Sequence, residues 1–364
     1  MDDLLLSEGS GMTWEINTAS ESDLPRISRR FKSLIPGNDT YGGVGQFYWK
    51  IFDNIFQKGM LFYISIDRAP VSTLSLTPKR IFLKNTPILA AELGDGYTAE
   101  SFMRRGMYTD LANQTIEMGH KGGIEFIYGT TNAKALPALL KRTKFRSIEN
   151  FVLSTLSLPL GVPRKISQWP WFIRDIGDYF VRIYAEVKLA INRPFFGGRK
   201  YAISKDIGLA KLAWREFWDE VRTSHDVLLD RSFEAVEWRF ILSPTSYDMT
   251  FLWRDQRLVG YLVTRTLTAS GESNLVVADC VCIPQESDGL RLLIRTIVKQ
   301  ALATRMTRIS AWFVHGGTYY TEFLKMGFLS RDVVPVIGYF EGSSQRLDSL
   351  QNKWHFTISD SDNI

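Results

Sequence analysis

Cysteine is nearly absent from this chain of 364 residues, which has only Cys280 and Cys282. Two thiols cannot frame a disulfide scaffold, and a chain of this length does not need one. They sit in the run Val276-Val277-Ala278-Asp279-Cys280-Val281-Cys282-Ile283. Alternate residues of a strand share a face, so they read as small core residues in a reducing compartment. Histidine is also scarce. His120, His225, His315 and His355 show no ligand spacing, so no metal site is expected. No apolar run approaches the ~18 residues of a spanning helix. The start, Met1-Asp2-Asp3-Leu4-Leu5-Leu6-Ser7, is acidic and lacks a signal peptide's apolar stretch. A cytoplasmic protein is the expectation. The glycine-rich run Tyr41-Gly42-Gly43-Val44-Gly45 is not followed by the Lys-Ser/Thr of a P-loop. No long basic arm or aromatic–basic stripe marks a nucleic-acid track, and no Ser-His-Asp or Cys-His arrangement stands out.

What remains is an ordinary globular composition with many rings: 45% hydrophobic, 23% charged and 13% aromatic. The length suits two domains of ~150–180 residues. A formal charge of +5 fits an anionic ligand or surface. The chain centres on Ala90–Leu111, AAELGDGYTAESFMRRGMYTDL. An apolar run ends in Glu92-Leu93-Gly94-Asp95-Gly96. A polar crossing follows, then Arg104-Arg105-Gly106 and a helical pattern through Leu111, Thr115 and Met118. Strand, phosphate-sized loop and helix is the reading. Free loop amides, the positive helix end and two guanidiniums all favour an anion. Gly106 lets backbone approach the ligand where a Cβ would intrude.

This stretch resembles motif A of the GNAT superfamily, the acyl-CoA-dependent N-acyltransferases. There a strand leads into a loop of the form Gln/Arg-x-x-Gly-x-Gly/Ala that holds the pyrophosphate of coenzyme A. With Gly106 on the first glycine, Met103 takes the Gln/Arg position and Tyr108 the Gly/Ala position, so both depart from the pattern. Arg104 and Arg105 replace the missing charge. The resemblance implies acyl-CoA contacts from Tyr97, Thr98, Arg104, Arg105, Gly106, Met107 and Tyr108. Asn132, at the exit of the next strand, either holds the pantetheine arm or acceptor, or caps the following helix.

The rest of the chain follows the same plan. A tail (1–12) precedes an N-terminal domain (13–156). There Ser20–Pro25 offers helix-start chemistry, and a helix is expected over Gln46–Phe56. Strands are expected at Met60–Ile66, Val71–Leu76, Ile88–Leu93, Gly123–Gly129 and Phe151–Leu156. Residues 157–204 are punctuated by Pro159, Pro163, Pro170 and Pro194 around a helix Ile173–Ile191. That helix reads as an interdomain linker, with peripheral membrane contact as the alternative. Residues 205–342 repeat the plan, with helices at Ala210–Arg222, Phe233–Phe240, Leu290–Arg305 and Thr318–Met326. Their loop, Pro284–Gly289, is acidic through Glu286 and Asp288 and should repel a pyrophosphate. Phe323-Leu324-Lys325-Met326-Gly327-Phe328 resembles GNAT motif B, with Phe323 in place of its tyrosine. Residues 343–364 read as a loosely ordered polar tail.

The expected fold class is therefore α/β (α+β): two GNAT-like domains, each a mixed, mostly antiparallel, splayed sheet flanked by helices. The chain resembles tandem-GNAT acyltransferases, including those of bacterial surface-polysaccharide loci. The resemblance implies direct acyl transfer from acetyl-CoA or another acyl-CoA to a small amine or amino-sugar, with no covalent enzyme intermediate. Carbonyl polarisation would come from backbone near Tyr97–Ala99. Glu92 and Asp95 are candidate bases, and Tyr128 and Tyr320 candidate proton donors to the thiolate. An inactive ligand-binding protein on the same scaffold stays open, as does aminoacyl transfer from tRNA.

Overall fold

The computed structural model describes residues 13–34, 43–162, 171–194, 198, 200–269, 271–342, 346, 350 and 353–361. The expected tail 1–12 lies outside them. Strand β1 (Ile16–Thr18) leads through a capping box of Ser20 and Asp23 into α1 (Leu24–Leu34). The expected helix over Gln46–Phe56 is instead a short α2 (Val44–Phe47) running into a π-turn, Tyr48–Phe52. β2 (Met60–Ile66), β3 (Ala69–Leu83) and β4 (Thr86–Thr98) form a meander. Its two turns put Asp67-Arg68 and Lys84-Asn85 at positive φ, which matches the strand twist across a two-residue hairpin. Then come α3 (Met107–Lys121), β5 (Phe126–Thr130), α4 (Leu136–Arg142), β6 (Arg146–Ser147), β7 (Leu153–Pro159) and α5 (Trp171–Ile191).

The second half repeats the sequence of elements. β8 (Tyr201–Ser204), α6 (Ile207–Ser224), β9 (Val227–Leu229) and α7 (Phe233–Val236) run into a second π-turn, Glu237–Ile241. β10 (Asp248–Arg254), β11 (Arg257–Ala269) and β12 (Glu272–Cys282) form the second meander. α8 (Ser287–Ala303), β13 (Arg308–Val314), α9 (Thr318–Lys325), β14 (Leu329–Val334), β15 (Val336–Phe340) and β16 (Trp354–His355) complete the chain. Among the described residues no helix is long and apolar enough to cross a membrane.

The sheets have equivalent strand orders: β1-β2-β3-β4-β5-β15-β6 and β8-β10-β11-β12-β13-β7-β14. Along these orders each is antiparallel except at one place. β4 and β5 run parallel over Ala90↔Phe126 to Glu92↔Tyr128, and β12 and β13 over Asn274↔Arg308 to Val276↔Ser310. Beyond those three pairs the strands part and leave a wedge. In each sheet the strand next to the outer edge comes from the other half. β15 pairs β5 in the first, and β7 pairs β13 in the second. The expected boundary at 156 therefore falls inside a strand of the second sheet. Leu153, Leu156 and Leu158 on β7, and Val336 and Ile337 on β15, are buried there.

Residues 353–361 correct the expectation of a loose polar tail. β16 pairs β9, which pairs β3. Trp354, Phe356, Ile358 and Asp360 are buried between the halves. Burying these rings and the chain around them outweighs the polar composition of residues 343–364 as a whole.

Candidate functional site

The first wedge is built from the end of β4. Its register slips between Thr73↔Tyr97 and Ser75↔Gly94, so Asp95 and Gly96 bulge opposite Leu74. Asp95 holds the bulge at a φ of 50°, a conformation Asp tolerates better than most residues. Its carboxylate accepts from Ser75 Oγ (2.6 Å) and pairs with Lys50 of the first π-turn, both side chains being buried. Thr73 Oγ1 donates to the Asp95 carbonyl (2.9 Å). Glu92 stands in the last register step before the wedge opens and pairs with Lys79 of β3 at 3.4 Å, again buried. Both candidate bases thus hold a lysine.

The loop after β4 holds the arginines and the glycine that the sequence singles out. A 3-10 turn (Glu100–Phe102) precedes Arg104 at φ 64° and Gly106 at φ 96°. Gly106 is the N-cap of α3, and no side chain caps it. The first-turn amides of Met107, Tyr108 and Thr109 are thus left to a ligand or solvent. Arg104 and Arg105 are exposed beside them. The Arg105 guanidinium lies over the Phe102 ring (5.3 Å) and donates to the Ser101 carbonyl (3.2 Å). Met107 is buried in the core and anchors the helix start. Tyr108 lays its ring on Gly96, where a Cβ would come within 2.7 Å of Cε2. Burial pushes its phenol up to about 12, so it stays protonated at neutral pH. Tyr97 is half-buried with its phenol raised, chiefly by burial, and Thr98 Oγ1 meets Ser72 Oγ at 2.8 Å.

The far side of the wedge is β5. Tyr128 is fully buried and its hydroxyl donates to the Asp360 carbonyl (2.6 Å), while Thr130 meets Ser361 at 2.8 Å. The C-terminal segment therefore runs along this strand. Asn132 Oδ1 accepts from the amides of Lys134 and Ala135, closing the turn that leads into α4, whose N-cap is Ala135. Tyr320 is in the other half. It lies against His315 and lines a cavity of about 210 Å³ with His225, Tyr319 and His355.

The second wedge is closed. Glu286, 1% exposed, is the N-cap of α8, where the first half has Gly106; its carboxylate accepts from Tyr201 and pairs with Arg254 rather than capping the helix amides. Across the wedge the Tyr319 hydroxyl accepts from the Cys282 N–H (2.9 Å) and donates to its carbonyl (3.1 Å). His355 is held neutral by burial first, then by Arg231 and His225.

Sequence reasoning missed the ionic groups between the halves. Arg231 Nε contacts Asp279 at 3.0 Å, its Nη2 contacts Asp360 at 2.8 Å, and Tyr261 donates to Asp279 at 2.6 Å. The available signal was a lone charge in an otherwise apolar run, as for Lys50 in Tyr-Trp-Lys-Ile-Phe and Asp279 in Val-Val-Ala-Asp-Cys.

The fold is that of tandem GNAT proteins. The structure superimposes on a tandem GNAT protein from the clavulanic acid biosynthesis pathway with a TM-score of 0.59 and 13% identity, covering 91% of this chain and 100% of that one. It is similar to an Enterococcus faecalis V583 protein described as a probable N-acyltransferase (TM-score 0.60, 8% identity, 94% of this chain and 75% of that one). It is also similar to Saccharomyces cerevisiae N-myristoyltransferase with bound myristoyl-CoA (TM-score 0.63, 11% identity, 92% and 80%). No protein-family model matches the chain, and no curated protein matches it in sequence.

Proposed function

We propose that the N-terminal half binds an acyl-CoA at the α3 terminus and transfers its acyl group directly to an amine. The supporting observation is the contrast between the two equivalent loops. In the first, an uncapped helix start, a left-handed Gly106 and two exposed arginines make a place for a pyrophosphate. In the second, the equivalent N-cap is Glu286, whose buried carboxylate, paired with Arg254, puts negative charge beside the helix start and disfavours an anion there. The tandem GNAT fold and the acyl-CoA held by one structural neighbour agree with this reading. In the reaction the amine nitrogen bonds to the thioester carbon, the C–S bond breaks, and the proton lost by the amine leaves with the thiolate. On this reading a backbone amide near Tyr97 and Thr98, at the end of β4, meets the charge developing on the carbonyl oxygen. Acetyl is the first acyl group to test. An amino-sugar of a surface-glycan precursor, acted on in the cytoplasm, is the first acceptor class. That choice rests on the resemblance to tandem-GNAT acyltransferases of polysaccharide loci.

A second reading, a binding protein without turnover, is favoured by one observation: Glu92 and Asp95 each hold a buried lysine. Calorimetric titration with acetyl-CoA and longer acyl-CoAs, beside Arg104→Ala/Arg105→Ala, tests both. Micromolar binding is expected, weakened roughly tenfold in the variant by loss of charge-assisted contacts at an exposed site. Turnover of an amine acceptor then separates enzyme from binder. Failure of every acyl-CoA to bind overturns the acyltransferase reading.

A further inference from the structure

Helix α5 is amphipathic in an unusual sense, because both of its faces are apolar. One face is anchored. Ala185 and Leu189 are buried in the core of the second half, Tyr184 donates to the Gly327 carbonyl (3.1 Å), and Asn192 donates to the Lys325 carbonyl (2.8 Å). The opposite face carries Ile176, Tyr179, Phe180, Ile183, Val187 and Ile191, exposed by between 36% and 73%. At 100° per residue these six fall in an arc of about 120°, with no charge among them. Exposed Asp175 and Glu186 lie outside that arc on one flank, and Asp178 turns inward to accept from the Val162 amide. The stripe runs along some 25 Å of helix. Scattered exposed apolar residues need no explanation, but a continuous stripe of this kind marks a contact surface.

The charge distribution says what the surface meets. Residues 163–200, which contain the helix and its flanks, carry eight Lys and Arg against three Asp and Glu. That excess of five is the entire formal net charge of the chain, since the rest holds 36 of each sign. The basic residues gather toward the ends of the segment: Arg164 and Lys165 before the helix, and Arg193, Arg199 and Lys200 after it. Rings accompany them in sequence, Trp169 and Trp171 on one side and Phe195 and Phe196 on the other. Aromatic rings and lysine or arginine at the ends of an apolar stripe suit the boundary between headgroups and acyl chains. A protein partner would need an acidic apolar groove of matching length. An anionic bilayer supplies both properties over any area.

We propose that the outward face of α5 docks this protein onto an anionic lipid surface, with the helix lying in the plane of the interface. The stripe enters the acyl boundary, and exposed Arg193 and Lys200 after the helix meet the lipid phosphates. This is independent of the acyl-CoA reading, because α5 contributes nothing to the α3 loop.

The test is co-sedimentation of the full chain with vesicles of phosphatidylcholine alone and of phosphatidylcholine mixed with phosphatidylglycerol. The expected result is binding to the mixed vesicles that weakens with added salt. The Phe180→Glu/Ile183→Glu variant should lower partitioning about tenfold or more. Tyr179→Ser/Phe180→Ser is the milder second variant, and both should keep the wild-type melting temperature because these side chains are exposed. Absence of binding to the mixed vesicles overturns the proposal, as does binding that both variants retain. Sedimentation velocity supplies the remaining outcome. Self-association of the wild type that the variants abolish, without vesicle binding, would assign the face to a second copy of this chain and overturn the lipid proposal.

Discussion

Arg231 sits between two buried carboxylates, Asp279 and Asp360, and joins the C-terminal segment to β12. Replacing it by methionine leaves both carboxylates without their cation and is expected to cost about 3–5 kcal/mol in urea denaturation. Burial raises the Asp360 carboxyl to about 6, with Arg231 pulling it down and Asp279 pushing it up. A carboxyl raised in the folded state stabilises when protonated, and that contribution is lost as pH climbs through the folded value. Wild type should therefore lose roughly 3 kcal/mol between about pH 4 and 6 relative to Asp360→Asn. Parallel stability profiles for the two would show that this group does not titrate there. At the β4 bulge, Gly96→Ala places a Cβ 2.7 Å from Tyr108 Cε2 and 3.2 Å from Leu74 Cδ1. An overpacking cost of about 1–3 kcal/mol is expected, together with weaker acyl-CoA binding as Tyr108 is pushed toward the loop.

Two π-turns face each other across the middle of the molecule. Trp49 and Trp238 stack at 4.5 Å between ring centroids. Trp49 Nε1 donates to the Trp238 carbonyl (3.2 Å), and Trp238 Nε1 to the Asp53 carbonyl (3.1 Å). A Trp49→Ala, Trp238→Ala double-mutant cycle should show each single change costing about 3–5 kcal/mol, with a coupling of at least about 0.5 kcal/mol. Strict additivity would remove the stack from the account. Both segments read as plain helices in the sequence. A helical period identifies an apolar face but does not register the extra residue of the Asp53 N–H to Tyr48 carbonyl bond or the Leu242 N–H to Glu237 carbonyl bond. The turn from β4 into α3 was legible because it is local: Gly106, two arginines and a helix start lie within a few residues. The ion pairs were not, because Lys50 and Asp95, or Arg231 and Asp360, meet only after folding.

At the scale of the whole molecule, the exchange of β7 and β15 makes each sheet depend on the other half. Fragments 1–162 and 163–364 produced separately should be insoluble or non-cooperative, because the first sheet lacks β15 and the second lacks β7. Produced together they should co-purify as a folded pair. A soluble, cooperatively melting 1–162 fragment would contradict this. Deleting residues 353–364 removes Trp354, Phe356 and Asp360 from the seam. It should abolish the single cooperative transition, where loss of a loose tail would leave the melting curve unchanged.

Apart from the two π-turns and the C-terminal strand, the sequence alone determined most element types, the twofold repetition of the plan and the place of the loop between β4 and α3. Alternation, helical period, turn residues and helix starts act over a few residues and leave a local record. It also showed that the two loops differ in charge, Arg104-Arg105 in one and Glu286 in the other. The tertiary structure decided which strand completes which sheet and that Glu286 is clamped by Arg254 and Tyr201. It decided too that the C-terminal segment lies between the halves and that one face of α5 stays uncovered. The physical reason is that a sheet edge offers the same backbone donors and acceptors to any buried strand. β7 and β15 carry similar apolar patterns, so the choice between them lies in the packing of distant side chains, which no local pattern encodes.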